Sequence, residues 1–157
     1  MEENKTCAII GATPETLSFG YDEEHYSAVA MKVAITEAIL ELIQRGFTDF
    51  ISSLEQGAEM WGAEACSGAI RLGSQIRLIC VPTSEEQANR WHPSVRERYF
   101  SLLEDCTETL RCRSEDYILE NADAILVAGS DFCARTAALI AEASRRGIEL
   151  IRICCKC

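Results

Sequence analysis

The chain has 157 residues, 48% apolar and 25% charged, with a formal net charge of −10 at pH 7. This length and balance suit one globular domain with a buried core and exclude a disordered or fibrous chain. The negative charge, with no Lys/Arg-rich tract, opposes general nucleic-acid binding, and no apolar run reaches the roughly 18 residues of a membrane span.

The opening MEENKTCAII has no basic segment ahead of a long apolar core, so the expected location is cytoplasmic, away from membranes. Cys7 to Ile10 reads as a buried first strand closed by Gly11, and Ala12 to Glu24 as an irregular polar loop. From Ser27 to Arg45, Ile35, Ile39, Leu42 and Ile43 recur at helical spacing, and Gly46 supplies a C-terminal stop. Phe50 to Ser52 is a second strand, followed by a small-residue helix from Ala58 to Leu72 that ends at Gly73. Ile76 to Val81 is a near-continuous apolar strand of the kind covered on both faces. Ser84 to Asn89 then predicts a helical turn, Pro93 to Asp105 a helix, Thr107 to Leu110 a short strand and Arg113 to Asn121 a helix. Ala124 to Ala128 is a strand ending at Gly129, Arg135 to Arg146 a helix, and Glu149 to Cys154 a last strand. Strands alternating with helices predict one α/β sandwich over residues 1–157, with a mostly parallel sheet of about six strands.

In an open parallel sheet, ligands lie beyond the carboxyl ends of the strands. That selects Gly11 and Thr13 after the first strand, Ser52, Ser53 and Gly57 after the second, and Gly129 and Ser130 after the fifth. The stretch Phe50 to Ala65 passes from strand through turn to helix, presenting backbone N–H groups where the positive end of the macrodipole favours an anion. Arg135 and Thr136, near a later helix start, offer a guanidinium and a hydroxyl for a phosphate. Glu59 and Glu64 are five residues apart, hence on different helix faces and not an acid/base pair, although either carboxylate suits a ribose hydroxyl. Trp61 suits stacking on a base, or a place in the core.

Cys7, Cys80, Cys106 and Cys154 fall in apolar runs and Cys66 on a small-residue helix face. Cys112, Cys133, Cys155 and Cys157 read as more exposed. The terminal Cys154-Cys155-Lys156-Cys157 has no matching His or Cys pair at zinc-finger spacing, so structural thiols are expected and no metal site. His25 and His92 lie in polar segments without an evident Ser or Cys partner. Walker, G-x-G-x-x-G, G-x-S-x-G and H-E-x-x-H motifs are absent.

Several short motifs, in order, give the chain a resemblance. They are GYDEE at Gly20 to Glu24, G-x-T-x-F-I-S at Gly46 to Ser52, and W-x-A-E at Trp61 to Glu64. Gln87, Trp91, R-x-R-Y at Arg96 to Tyr99 and Asn121-Ala122-Asp123 follow. Together they resemble the YpsA-like branch of the SLOG (SMF/DprA–LOG) superfamily over nearly the whole chain. The resemblance implies a Rossmann-like fold, strand order 3-2-1-4-5-6, and a pocket for a nucleotide or nucleotide-derived ligand. The chain departs from that pattern around the pocket. Ser53 stands for a glycine, Glu59 for an aspartate, Ala134-Arg135-Thr136 for a G-G-T turn, and Ser114-Glu115 for an Arg-Asn pair. The P-G-G-x-G-T-x-x-E signature of the related LOG enzymes, which release a base from nucleotides, is absent.

Three functions are carried forward. The first is a binding module for a nucleotide-like small molecule, with no cofactor required. The second is a degenerate member acting as an interaction scaffold, for which further copies of the chain are candidate partners. The third is a nucleotide hydrolase using Glu59 or Glu64. The residues leave open whether any catalysis occurs.

Overall fold

The computed structural model describes residues 4–153. Six strands and five helices alternate as β1 (Lys5–Gly11), α1 (Tyr26–Gln44), β2 (Phe47–Ser52), α2 (Ala58–Arg71), β3 (Arg77–Cys80) and α3 (Pro93–Asp105). The chain continues through β4 (Glu108–Thr109), α4 (Ser114–Asn121), β5 (Ala124–Ala128), α5 (Ala134–Arg145) and β6 (Glu149–Ile153). Expected Cys154, with Cys155 and Cys157, lies outside the described residues. Ser84 to Asn89 forms successive turns rather than a helical turn, with Asn89 N–H donating to Glu86 O at 3.0 Å.

Every neighbouring strand pair is parallel, as a βαβ chain requires. The order is β4-β3-β2-β1-β5-β6, so the expected 3-2-1-4-5-6 is corrected at one strand. The fourth strand lies outside β3 instead of beside β1. The reason is burial: Glu108 and Thr109 are both exposed and only two residues long. The place beside β1 goes to β5, whose five residues are all buried and pair from Cys7↔Ala124 to Gly11↔Ala128.

Period-two alternation divides the core. Cys7, Ile9, Phe50, Leu78, Cys80 and Leu126 face the layer formed by α1, α2 and α3. Ala8, Ile10, Ile51, Ile79, Ile125 and Val127 face α4 and α5. The result is the expected three-layer sandwich. Helix α2 lies closest to the sheet, and Gly62 is the reason: a Cβ there would come within 2.5 Å of Ile9 Cγ2. Ala58, Ala63, Cys66 and Ala69 continue that small, buried face.

Candidate functional site

The strand ends meet at Ala12, which is 2% exposed. Its N–H donates to Ala128 O at 2.9 Å, and its carbonyl accepts from Ala58 N–H at 3.0 Å. Three glycines expected in the site close around this residue. A Cβ on Gly11 would fall 2.2 Å from Ala128 O. On Gly57 (φ +98°) it would fall 2.4 Å from Ala12 O, and on Gly129 (φ +109°) 2.8 Å from Ala12 Cβ. These glycines let β1, β5 and the start of α2 approach one another.

That close packing consumes the donors expected to face a ligand. Ser52 is fully buried, its hydroxyl donating to Glu59 O at 2.8 Å and accepting from Leu54 N–H at 3.1 Å. Leu54 takes φ +63°, a left-handed conformation costly for a branched side chain. Thr13 N–H donates to Thr16 Oγ1 at 3.1 Å, Met60 N–H to Glu55 O at 3.0 Å, and Gly129 N–H to Ile153 O at 2.8 Å.

Beside these turns lies a half-buried ion bridge. Glu59, 3% exposed, meets Arg135 Nη2 at 3.4 Å, and Glu115 meets Arg135 Nη1 at 2.9 Å. Burial pushes the Glu59 carboxyl up from 4.5 to about 7; Arg135 and Ser53 oppose the shift, whereas Glu55 and Glu115 add to it. The Ser53 hydroxyl, 1% exposed and without a hydrogen bond of normal geometry, lies near enough to favour the charged carboxylate. Burial also raises Glu55, which receives the Thr83 hydroxyl at 3.1 Å. Burial opposes ionisation of Glu115, but Arg135 outweighs it and holds that carboxyl low. Glu115 and Arg135, two departures from the family pattern, therefore pair with each other, and Ser53 and Glu59, two more, lie side by side. Thr136 is buried with its hydroxyl 3.3 Å from the Cys133 thiol, and Ser130 is exposed.

A cavity of about 740 Å³ opens next to this crevice, over α2 and the start of α3. This falls within the ~300–1,000 Å³ of small-molecule sites. Thr13, Gly57 and Trp61 of the expected site line it, joined by Tyr21, Arg90 and Trp91. Part of its wall belongs to a five-residue network of Glu23, Lys32, Trp61, Glu64 and Arg98, of which the sequence assigned only Trp61 and Glu64 to the site; all but Glu64 line the cavity. Arg98 grips Glu23 at 2.8 and 3.0 Å and Glu64 at 2.6 and 3.1 Å, both as paired contacts. Lys32 joins Glu23 at 2.8 Å, and Trp61 donates its indole N–H to Glu23 at the same distance. Burial disfavours the charged Glu23, but Arg98, Lys32 and Trp61 outweigh it and hold the carboxyl at about 2. Glu23, Trp61, Glu64 and Arg98 come from three separate motifs of the resemblance. Their convergence is visible only once α1, α2 and α3 are packed.

Glu59 and Glu64 point to different neighbours, α5 and α3 respectively, as their spacing required. Trp61 is 5% exposed, so its ring belongs to the core and only its edge reaches the cavity. The histidines have a role the sequence reading missed. Each caps a helix: His25 Nδ1 accepts from Ser27 N–H at 3.1 Å, and His92 Nδ1 from Ser94 N–H at 3.2 Å. The Ser94 hydroxyl is also 2.8 Å from His92 Nδ1, which corrects the expectation of no serine partner. The repeated His-x-Ser at the two helix starts was the available signal.

Cys7, Cys66 and Cys80 are buried and Cys112 is exposed, as expected, while Cys106 and Cys133 are half-buried. Among the described residues, no group of three or more acidic, His or Cys side chains is arranged to hold a metal ion. Nor is any helix among them long and apolar enough to cross a membrane. A second cavity of about 790 Å³ lies at the β4 edge, lined by Pro82, Phe100, Leu103 and Leu110, and contains none of the expected site residues.

Comparison with known proteins covers the same region. The chain is 25% identical to a UPF0398 protein of Halalkalibacterium halodurans over 119 residues, 68% of this chain and 63% of the relative's length. It therefore spans less than two thirds of that relative. It is 24% identical to a UPF0398 protein of Bacillus licheniformis over 136 residues, 78% of this chain and 73% of the relative. The YpsA family model, described as the YspA SLOG family, matches residues 7–135, from β1 through the start of α5. The chain belongs to the YpsA family of SLOG proteins.

Proposed function

We propose that this protein is a cytoplasmic binding module for a nucleotide or nucleotide-derived ligand, held in the cavity beside the carboxyl ends of the strands. One observation carries the reading: Glu23, Trp61 and Arg98, the last also held by Glu64, converge on one wall of a 740 Å³ cavity that opens beside Thr13 and Gly57. The aromatic and carboxylate groups lining the cavity suit the base and the sugar hydroxyls of a nucleotide. A thermal-shift series with mononucleotides, NAD, ADP-ribose and cyclic dinucleotides tests it. A ligand at about 100 times its dissociation constant stabilises the fold by roughly 2.7 kcal/mol. Absence of a shift with every compound refutes the reading. The hydrolase reading has less support, because Arg98 engages both oxygens of Glu64 and Glu59 is 3% exposed.

The scaffold reading has its own observation. Tyr26, Val29, Val33 and Leu40 leave an exposed apolar stripe along α1, at 73, 48, 50 and 47% exposure. Light scattering of the wild type and Val33→Glu tests whether this stripe joins copies of the chain. A monomer in both removes support for self-association through it.

A further inference from the structure

Resting on the nucleotide reading, we infer that Arg90 and His92, at the entrance to α3, read the ligand's phosphate, and that the ligand carries one phosphate and free hydroxyls.

The strand-end crevice is unsuited to a phosphate. The N–H groups of Ala12, Thr13, Leu54, Ala58, Met60 and Gly129 all have partners within the protein. Arg135 is bridged between Glu59 and Glu115, with Glu55 adding a further carboxyl to its surroundings. A phosphate placed there would face acidic groups and displace that bridge. A pyrophosphate, with more charge to neutralise, would fare worse.

The cavity next door also carries carboxyls but adds an uncommitted cation. Two of its cations are committed, Arg98 to Glu23 and Glu64, and Lys32 to Glu23. Arg90 lines the same cavity and is exposed, and no hydrogen bond or ion pair occupies its guanidinium among the described residues. His92 lines the cavity two residues on. Its Nδ1 accepts the Ser94 N–H, which places the proton of a neutral ring on Nε2 and leaves Nε2–H as a donor. One guanidinium and one imidazole N–H match one phosphate group. The carboxyls of Glu15 and Glu55 line the cavity too, and carboxyl groups there repel phosphate but accept hydroxyl hydrogen bonds. Tyr21 and Trp91 supply the aromatic surface, with Trp91 braced edge-on by Tyr99 at 5.4 Å between ring centroids.

Isothermal titration calorimetry with AMP, GMP, CMP and UMP, their nucleosides, and NAD tests the inference. At least one monophosphate should bind the wild type at least tenfold tighter than its nucleoside, and tighter than NAD. Arg90→Ala should erase that advantage while leaving nucleoside binding unchanged. His92→Asn retains a capping side chain and should reduce the advantage severalfold. The proposal is overturned, with the nucleotide reading intact, if the advantage survives both variants, if NAD binds tightest, or if Arg135→Gln alone abolishes it. If none of these compounds binds the wild type, the inference and the nucleotide reading fall together.

Discussion

Glu59 is a carboxyl that the fold stabilises better when it is protonated, and Glu59→Gln tests this directly. Its one ion-pair partner among the described residues is 3.4 Å away and shared with Glu115, while its side chain is almost wholly removed from water. Raising the group from 4.5 to about 7 disfavours ionisation in the folded state by about 3 kcal/mol, at ~1.4 kcal/mol per tenfold. The sign follows from proton counting. Between pH 4.5 and 7 the folded chain binds more protons at this site than the unfolded chain, so stability falls as pH rises through the window. Glutamine mimics the neutral acid. The variant should therefore match the wild type near pH 4 and exceed it by about 2–4 kcal/mol at pH 8, or roughly 5–15 °C in midpoint temperature for a chain of this size. Glu55, also raised by burial, leaves a smaller slope of the same sign in the variant. Calorimetric melts of both proteins from pH 4 to 8 provide the measurement. A variant less stable than the wild type at pH 8 would show that attraction to Arg135 outweighs desolvation and would refute the reasoning.

Two glycines of α2 should respond in opposite directions to the same change. Gly68→Ala meets nothing within 4 Å and should stabilise by about 0.5–1 kcal/mol through helix propensity, whereas Gly62→Ala pushes a methyl against Ile9 and should cost about 1–3 kcal/mol; urea melts distinguish them. Arg98→Met leaves Glu23 and Glu64 without their shared cation and should destabilise by about 1–3 kcal/mol, discounted for partial exposure, while raising the Glu23 pKa as followed by carboxyl-carbon NMR. In the wild type, Glu23 contributes stability above pH 4.5 that is lost as the pH falls toward 2, opposite in sign to Glu59 and in a separate window, so acid melts of Glu23→Gln should lose that lower limb. Among the described thiols, iodoacetamide followed by peptide mass mapping should label exposed Cys112 first and Cys133 next, the latter favoured by Thr136 and Arg135 lowering its pKa against the effect of burial. Cys7, pushed up to about 12 by burial, should react only on unfolding, with Cys66 and Cys80.

The sequence by itself determined the alternation of elements, the parallel sheet and the glycines of the strand ends. Periodicity and glycine placement are local properties, and a chain reading β-α-β at these lengths has few ways to cover both faces of a sheet. It also determined that Glu59 and Glu64 diverge, since five residues on a helix separate two faces. Only the tertiary structure decided that β4 lies at the edge, because rank in a sheet depends on which strand can bury five residues on both faces. It likewise decided the state of each charge. Arg135 looked free for a phosphate, yet Glu115, twenty positions away on α4, claims it, while Arg90, unremarkable in sequence, has no such partner among the described residues. Glu23, Trp61, Glu64 and Arg98 lie on elements up to 75 positions apart, and their shared network exists because α1 and α3 flank α2 on one face of the sheet. Side-chain pairing across such separations leaves no periodic trace in a single chain, so the strand-end turns could be placed from sequence but the charge pairing around them could not.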